Sequence, residues 1–201
     1  PKSIVAVTGG SSVATLSQHL IEAKPFNTMK FVSARGSMRN DVSLQANTLV
    51  SQFAKKCGGQ YHTLLLPEFL SEQAYTLMME EPIVKETVQL YDDTNIVIHG
   101  IGTASEMGKL RNMSPTEYEQ LINKGAVGEA FGYYFDAMGN VVYRIQTVGI
   151  QIEQVKKSKL ILAIAGGKSK AMAIEAYFKI AAKHTVLITD EGAADEILKH
   201  V

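Results

Sequence analysis

Six short apolar runs constrain this chain more than any other feature: Ile4 to Thr8, Met29 to Ala34, Tyr61 to Leu66, Ile96 to His99, Leu160 to Ala165 and Thr185 to Thr189. Most lack polar alternation, which is how strands read when both faces of a sheet are covered. Helical spacing lies between them, as in Val13, Leu16 and Leu20 after the first run and Ile174, Phe178 and Ala181 after the fifth. Strand alternating with helix implies right-handed crossovers. The expected class is therefore α/β, a Rossmann-like, doubly wound, mostly parallel sheet. The middle departs from this rhythm. Ser105 to Lys124 is polar, and Ser114-Pro115-Thr116-Glu117 reads as a helix start. Tyr133-Tyr134-Phe135-Asp136 and Val141-Val142-Tyr143 flank Met138-Gly139-Asn140 as a hairpin. The reading is one domain over residues 1–201, with an inserted helical and hairpin segment or lid at about 103–150.

Hydrophobic residues make up 46% of the chain and charged residues 20%, enough to bury a sizeable core. Lysine plus arginine (20) equals aspartate plus glutamate (20), so the formal net charge is zero. That argues against this chain gripping nucleic acid by itself, since such affinity rests on cations meeting phosphates. A local basic pocket for a small anion remains open. The single cysteine, Cys57, rules out an internal disulfide and a cysteine-based zinc cluster, and favours a reducing compartment. No apolar run approaches the roughly 20 residues of a membrane helix. No signal peptide is visible. The expected location is cytoplasmic, with no membrane partner. The chain opens Pro1-Lys2-Ser3-Ile4-Val5, without an initiator methionine, and reads as a piece of a longer protein.

Open α/β sheets bind ligands beyond the carboxyl ends of their strands. The first run ends in Thr8-Gly9-Gly10-Ser11-Ser12 before a helix, and the fifth in Ala165-Gly166-Gly167-Lys168-Ser169-Lys170. The fourth ends in Gly100-Ile101-Gly102-Thr103, the second in Ala34-Arg35-Gly36-Ser37, and the sixth in Thr189-Asp190-Glu191-Gly192. Glycine lets backbone approach a ligand, while hydroxyls and helix N-terminal amides hold phosphate. Any one such loop is by default an ordinary tight turn. Several together, with Arg35 and Lys170 at equivalent strand ends, point to an anion site with two cationic anchors. Neither a P-loop nor a dinucleotide fingerprint after the first run is present. Gln45 and Asn47 begin a helical pattern, where a capping pair competes with a ligand role. Glu129, in Val127-Gly128-Glu129-Ala130, could accept from sugar hydroxyls or sit in a surface turn.

Other features are weaker. His19, His62, His99, His184 and His200 are scattered without ligand spacing, so no metal is expected. Cys57 precedes Gly58-Gly59 at an expected helix end. Asp92-Asp93 reads as a solvated turn, Glu80-Glu81-Pro82 as a helix boundary, and Met78-Met79 as core or interface.

Seven landmarks in order carry a resemblance over nearly the whole chain. They are Gly9-Gly10-Ser11-Ser12, Ser33-Ala34-Arg35-Gly36, Gln45-Ala46-Asn47, Ile98-His99-Gly100-Ile101-Gly102, Ala126 through Asp136, Ala165-Gly166-Gly167 with Lys170, and Thr189-Asp190-Glu191. The chain resembles the C-terminal sugar-phosphate-binding domain of SorC/DeoR-type bacterial transcription regulators, and most of all members that control glycolytic genes. That resemblance implies a fold similar to ribose-5-phosphate isomerase and glucosamine-6-phosphate deaminase, without catalysis or cofactor. It implies a repressor whose DNA-binding domain precedes Pro1, self-association as dimer or tetramer, and fructose-1,6-bisphosphate or a related sugar phosphate as effector. By position, Gly9, Gly10, Ser11 and Ser12 would hold one phosphate, with serine where the family usually has threonine. Arg35 and Lys170 would meet phosphate charge. Gln45, Asn47, Gly102 and Glu129 would line the site, with Arg111 a second-phosphate contact. Lys168 rivals Lys170 for its role.

A sugar-phosphate isomerase or aminosugar-phosphate deaminase is the alternative. It needs a carboxylate for proton abstraction, and Asp190, Glu191 and Glu129 are the candidates. A bare oligomerisation module is the third reading.

Overall fold

The computed structural model describes residues 3–22, 26–38 and 41–199. Pro1, Lys2 and His200 lie outside them. The first four strands are β1 (Ile4–Val7), β2 (Lys30–Ser33), β3 (Gln60–His62) and β4 (Ile96–Gly100). Later come β5 (Gly102–Thr103), β6 (Ala126–Ala130), β7 (Tyr133–Asp136), β8 (Val141–Arg144), β9 (Leu160–Ile164) and β10 (Thr185–Ile188). The larger sheet follows the order β10-β9-β4-β1-β2-β3. It is mostly parallel, with β1 pairing in parallel with β2 and β4, and β2 with β3. All six apolar runs thus supply strands. The α/β expectation holds.

Two compact units divide the chain. One holds Pro1–His99 and Thr147–Leu162, the other Gly100–Gln146 and Ala163–Val201.

In the first unit, β1 is buried throughout, as its unbroken apolar sequence requires. Helix α1 (Ser11–His19) follows it, and α2 (Ala46–Cys57) follows β2. Gly58 ends α2 in the left-handed conformation at φ 74°, so Cys57 does close a helix. The third apolar run is only half strand: pairing stops at His62. Beyond it, the backbone of Leu64 bonds in both directions to the side-chain amide of Asn47, at 2.9 Å each way. The Leu64 side chain enters a cluster with Val84 and Val148. A side chain has taken over the role of a neighbouring strand, and alternation cannot reveal that. Helices α3 (Glu72–Glu80) and α4 (Pro82–Gln89) cover the cluster, meeting at Glu81-Pro82 as expected. Met79 packs against it. Tyr91 is buried and donates to the Ser33 carbonyl at 2.7 Å, and burial pushes its phenol well above the usual range.

In the second unit, α5 (Ala104–Leu110) and α6 (Pro115–Asn123) precede an antiparallel sheet of order β5-β6-β7-β8. Ser114 and Glu117 form a reciprocal capping box at the start of α6. The hairpin turn is held by Asp136, which accepts from the amides of Met138 and Asn140 at 2.9 Å. The side-chain amide of Asn140, and then those backbone amides, hold its carboxyl below the usual range. Leu121 and Tyr134 are fully buried with Ala104 beneath the two helices. Helix α7 (Ile152–Lys157) belongs to the first unit; in the second, α8 (Ala171–Ile180) packs on β6, and α9 (Glu191–Leu198) on α8. Strands β5 and β6 lack an apolar run, and only their pairing reveals them.

Gly149 tests the packing of the first unit. It has φ +144°, and a Cβ there would lie 2.2 Å from the Ala34 carbonyl oxygen. Gly149→Ala should lose about 3 kcal/mol of unfolding free energy by urea titration, through overpacking against backbone in a conformation alanine avoids.

Candidate functional site

The loop after β1 is shaped by close backbone approach. A Cβ at Gly9 would lie 2.5 Å from the Leu44 carbonyl oxygen, and the Gly10 amide donates to that oxygen at 2.8 Å. Gly10 is the N-cap of α1 at φ 116°, and no side chain caps the helix. Four N–H groups at a helix start have no partner within the helix. Here they open onto a loop where, among the described residues, the Ser11 and Ser12 hydroxyls make no hydrogen bond. Unpartnered amides at the start of a nine-residue helix are groups of the kind that can hold an anion.

The 3₁₀ turn Val42–Leu44 brings Gln45 beside Gly9. Gln45 is the N-cap of α2, and its side chain donates to the Met38 carbonyl at 3.1 Å. Asn47 has its amide engaged: besides Leu64, it donates to the Ser37 hydroxyl at 3.2 Å. It ties the loops after β2 and β3.

Arg35 is buried at 7% exposure and ion-pairs with Glu68, itself at 2%. The loops around them are stitched by backbone. The Ser37 amide donates to Leu66 at 2.7 Å, Glu68 to Ser37 at 2.8 Å and Val148 to Glu68 at 2.8 Å. The Arg35 Nε is buried and, among the described residues, has no hydrogen-bond partner. Glu68 escaped the sequence reading because the segment after the third apolar run carries no glycine and no motif. Only the cost of burying a lone guanidinium hinted that a carboxylate must be near.

The second unit repeats the device. Arg111, at the C-cap of α5, donates to Glu129 at 3.0 Å and to the Tyr134 hydroxyl at 2.8 Å. The Glu129 Oε1 also accepts the Gly132 amide at 2.5 Å. Both side chains are buried. Gly102 pairs with Glu129 across β5 and β6, and Met107 fills the space a Cβ would need there.

Lys170 ends the 3₁₀ turn Lys168–Lys170, which starts at Gly167 with φ 93° and lies against β5. It is half-buried and, among the described residues, makes no side-chain hydrogen bond or ion pair, while Lys168 is exposed. Asp190 caps α9, accepting from Ala193 at 2.8 Å. Amides of Gly167 and then Ala193 hold its carboxyl below the usual range. A Cβ at Gly166 would lie 2.5 Å from its Oδ2. The aspartate braces the lysine-bearing turn. Gly9 to Ser12, Gln45, Asn47 and Arg35 thus belong to one unit, and Gly102, Arg111, Glu129 and Lys170 to the other.

Among the described residues, no cluster of His, Cys, Asp and Glu could hold a metal ion, and no helix is long and apolar enough to cross a membrane.

Comparison with known proteins decides the family. The model described as "Putative sugar-binding domain" matches residues 1–199. The chain belongs to the sugar-binding domain family of SorC/DeoR-type transcription regulators. It is 42% identical to the central glycolytic genes regulator of Bacillus subtilis over 198 residues, 98% of this chain and 58% of that protein. Identity to the namesake protein of Priestia megaterium is 41% over the same shares. The chain therefore spans under two thirds of these relatives. Among solved structures, "the putative SorC family transcriptional regulator from Enterococcus faecalis" matches with a TM-score of 0.91 at 42% identity, covering 98% of this chain and 81% of that one. The full-length sorbitol operon regulator SorC of Klebsiella pneumoniae matches in fold, with a TM-score of 0.87 at 20% identity over 98% and 65%.

Removing one partner of a buried ion pair strands the other. Glu68→Ala should destabilise the chain by about 3–5 kcal/mol in chemical denaturation, well beyond an ordinary surface substitution.

Proposed function

We propose that this chain is the effector-binding and oligomerisation domain of a repressor of glycolytic genes, and that it senses fructose-1,6-bisphosphate or a related sugar phosphate. The uncapped start of α1 behind Gly9-Gly10 carries this reading, because it presents amides and two serine hydroxyls with no competing acceptor. Family membership and the names of the glycolytic relatives support it. Ser11 and Ser12 hold one phosphate, and Lys170 supplies a compact point charge. Arg35 serves a phosphate by exchanging its bond to Glu68, as a bidentate donor. Gln45 contacts a hydroxyl or a phosphate edge, while Asn47, Arg111 and Glu129 hold the surrounding loops in shape.

A binding role also suits the carboxylates. An isomerase or deaminase needs one available as a base. Asp190 is engaged by amides and Glu129 by Arg111 and Gly132, while Glu191, the third candidate, is exposed in the first turn of α9. Operator DNA is met through a separate domain of the whole regulator. The effector acts by its different affinity for two arrangements, closing the segment Ser105 to Lys124 and altering subunit contacts.

Thermal unfolding with and without fructose-1,6-bisphosphate tests the reading, since a ligand of the native state raises the midpoint. An unchanged midpoint at millimolar ligand would sink it. Lys170→Ala should weaken bisphosphate binding by about 1.5–3 kcal/mol in calorimetry, with the fold retained.

A further inference from the structure

Arg35 and Glu68 form an incomplete pair. A guanidinium presents parallel N–H groups along the edge shared by Nε and Nη2, and a two-oxygen acceptor can take both. Here the Glu68 Oε1 takes Nη2 alone. The Nε on the same edge is buried and, among the described residues, has no partner. A buried donor without an acceptor carries a desolvation cost, which a completed fork would remove.

Neither main chain is placed to improve the fit. The Glu68 amide donates to the Ser37 carbonyl at 2.8 Å, and the Glu68 carbonyl accepts from Val148 at 2.8 Å. On the other side, the Ser33 hydroxyl donates to the Arg35 carbonyl at 2.9 Å. A Cβ at Gly149 would come within 3.0 Å of the Arg35 Cα. With both backbones held, rearrangement is left to the side chains.

We propose that Glu68 is an internal competitor, a carboxylate that occupies Arg35 in the effector-free chain and so sets how much phosphorylated ligand is needed to displace it. This rests on the effector reading above and assigns it a residue that determines affinity. A phosphate has what the carboxylate lacks here. It brings about two negative charges against one, and three acceptor oxygens. It can take Nη2 and Nε together and fill the fork that Glu68 leaves half empty. The competitor is part of the chain and always present. Apparent affinity is then the intrinsic affinity reduced by the fraction of molecules with Arg35 released. Glu68 moves the response to higher effector concentration without touching the effector.

The sign of one measurement separates this from a positioning role. A residue that merely held Arg35 ready would weaken binding when lost, whereas a competitor strengthens it. In calorimetry with fructose-1,6-bisphosphate, Glu68→Gln keeps the shape, removes the charge and should bind at least about tenfold more tightly than the wild type. In an Arg35→Met background the same substitution should change affinity by less than about threefold, because the contest is for Arg35. A general repulsion between Glu68 and phosphate would persist there. Circular dichroism checks folding. Should Glu68→Gln misfold, Glu68→Asp retracts the carboxylate by one methylene and should bind more tightly than the wild type by a smaller factor. A folded Glu68→Gln that binds as the wild type does, or more weakly, overturns the competition, and so does a gain undiminished without Arg35. If neither the wild type nor Glu68→Gln binds the bisphosphate, the effector reading itself falls, and the competitor with it.

Discussion

A guanidinium removed from water must be answered by a carboxylate, and each unit of this molecule is arranged around one such answer. Arg35 and Glu68 join the loops after β2 and β3. Arg111 and Glu129 join the end of α5 to β6. Replacing such pairs by apolar residues is often neutral for stability, so their contribution is better sought in geometry than in energy. Around Arg35 that geometry is dense. Asn47 holds Leu64 and Ser37, and backbone bonds link Ser37, Leu66, Glu68 and Val148.

This changes how the chain's cations are read. Arg35 and Lys170 look equivalent as sequence, each following a strand and a small-residue turn. In the structure they differ. Arg35 is buried and already neutralised, while Lys170 stands on a turn braced by Asp190 with no anion of its own among the described residues. On the proposed reading, an incoming anion would meet Lys170 directly but would have to compete for Arg35. The serine hydroxyls of α1 resemble Lys170 in this respect.

The strands were legible because burial on both faces writes itself as unbroken apolar runs. The start of α6 was legible because a capping box is local, and the Asp136 hairpin because a turn is local. What stayed hidden depends on partners distant in sequence. The shortening of β3 follows from Asn47, 17 residues away from Leu64. The role of Glu68 follows from Arg35, 33 residues away. Strands β5 and β6 carry glycine and glutamate where periodicity expects apolar residues, so only β7 identifies them. Among the candidate residues, Gly9 to Ser12 form the loop and helix start that the sequence placed after β1. Asn47, Arg111 and Glu129 proved to be joined to neighbours that a linear reading does not supply.

Gly10 occupies the position where serine, aspartate or asparagine would normally seal a helix. An oxygen placed there would take the amides that the proposed phosphate needs. The native fold thus keeps a small local deficit, which evolution toward greater thermal robustness would be tempted to repair. On the proposed reading, a chain so repaired would be sturdier yet deaf, its best acceptor permanently supplied from within.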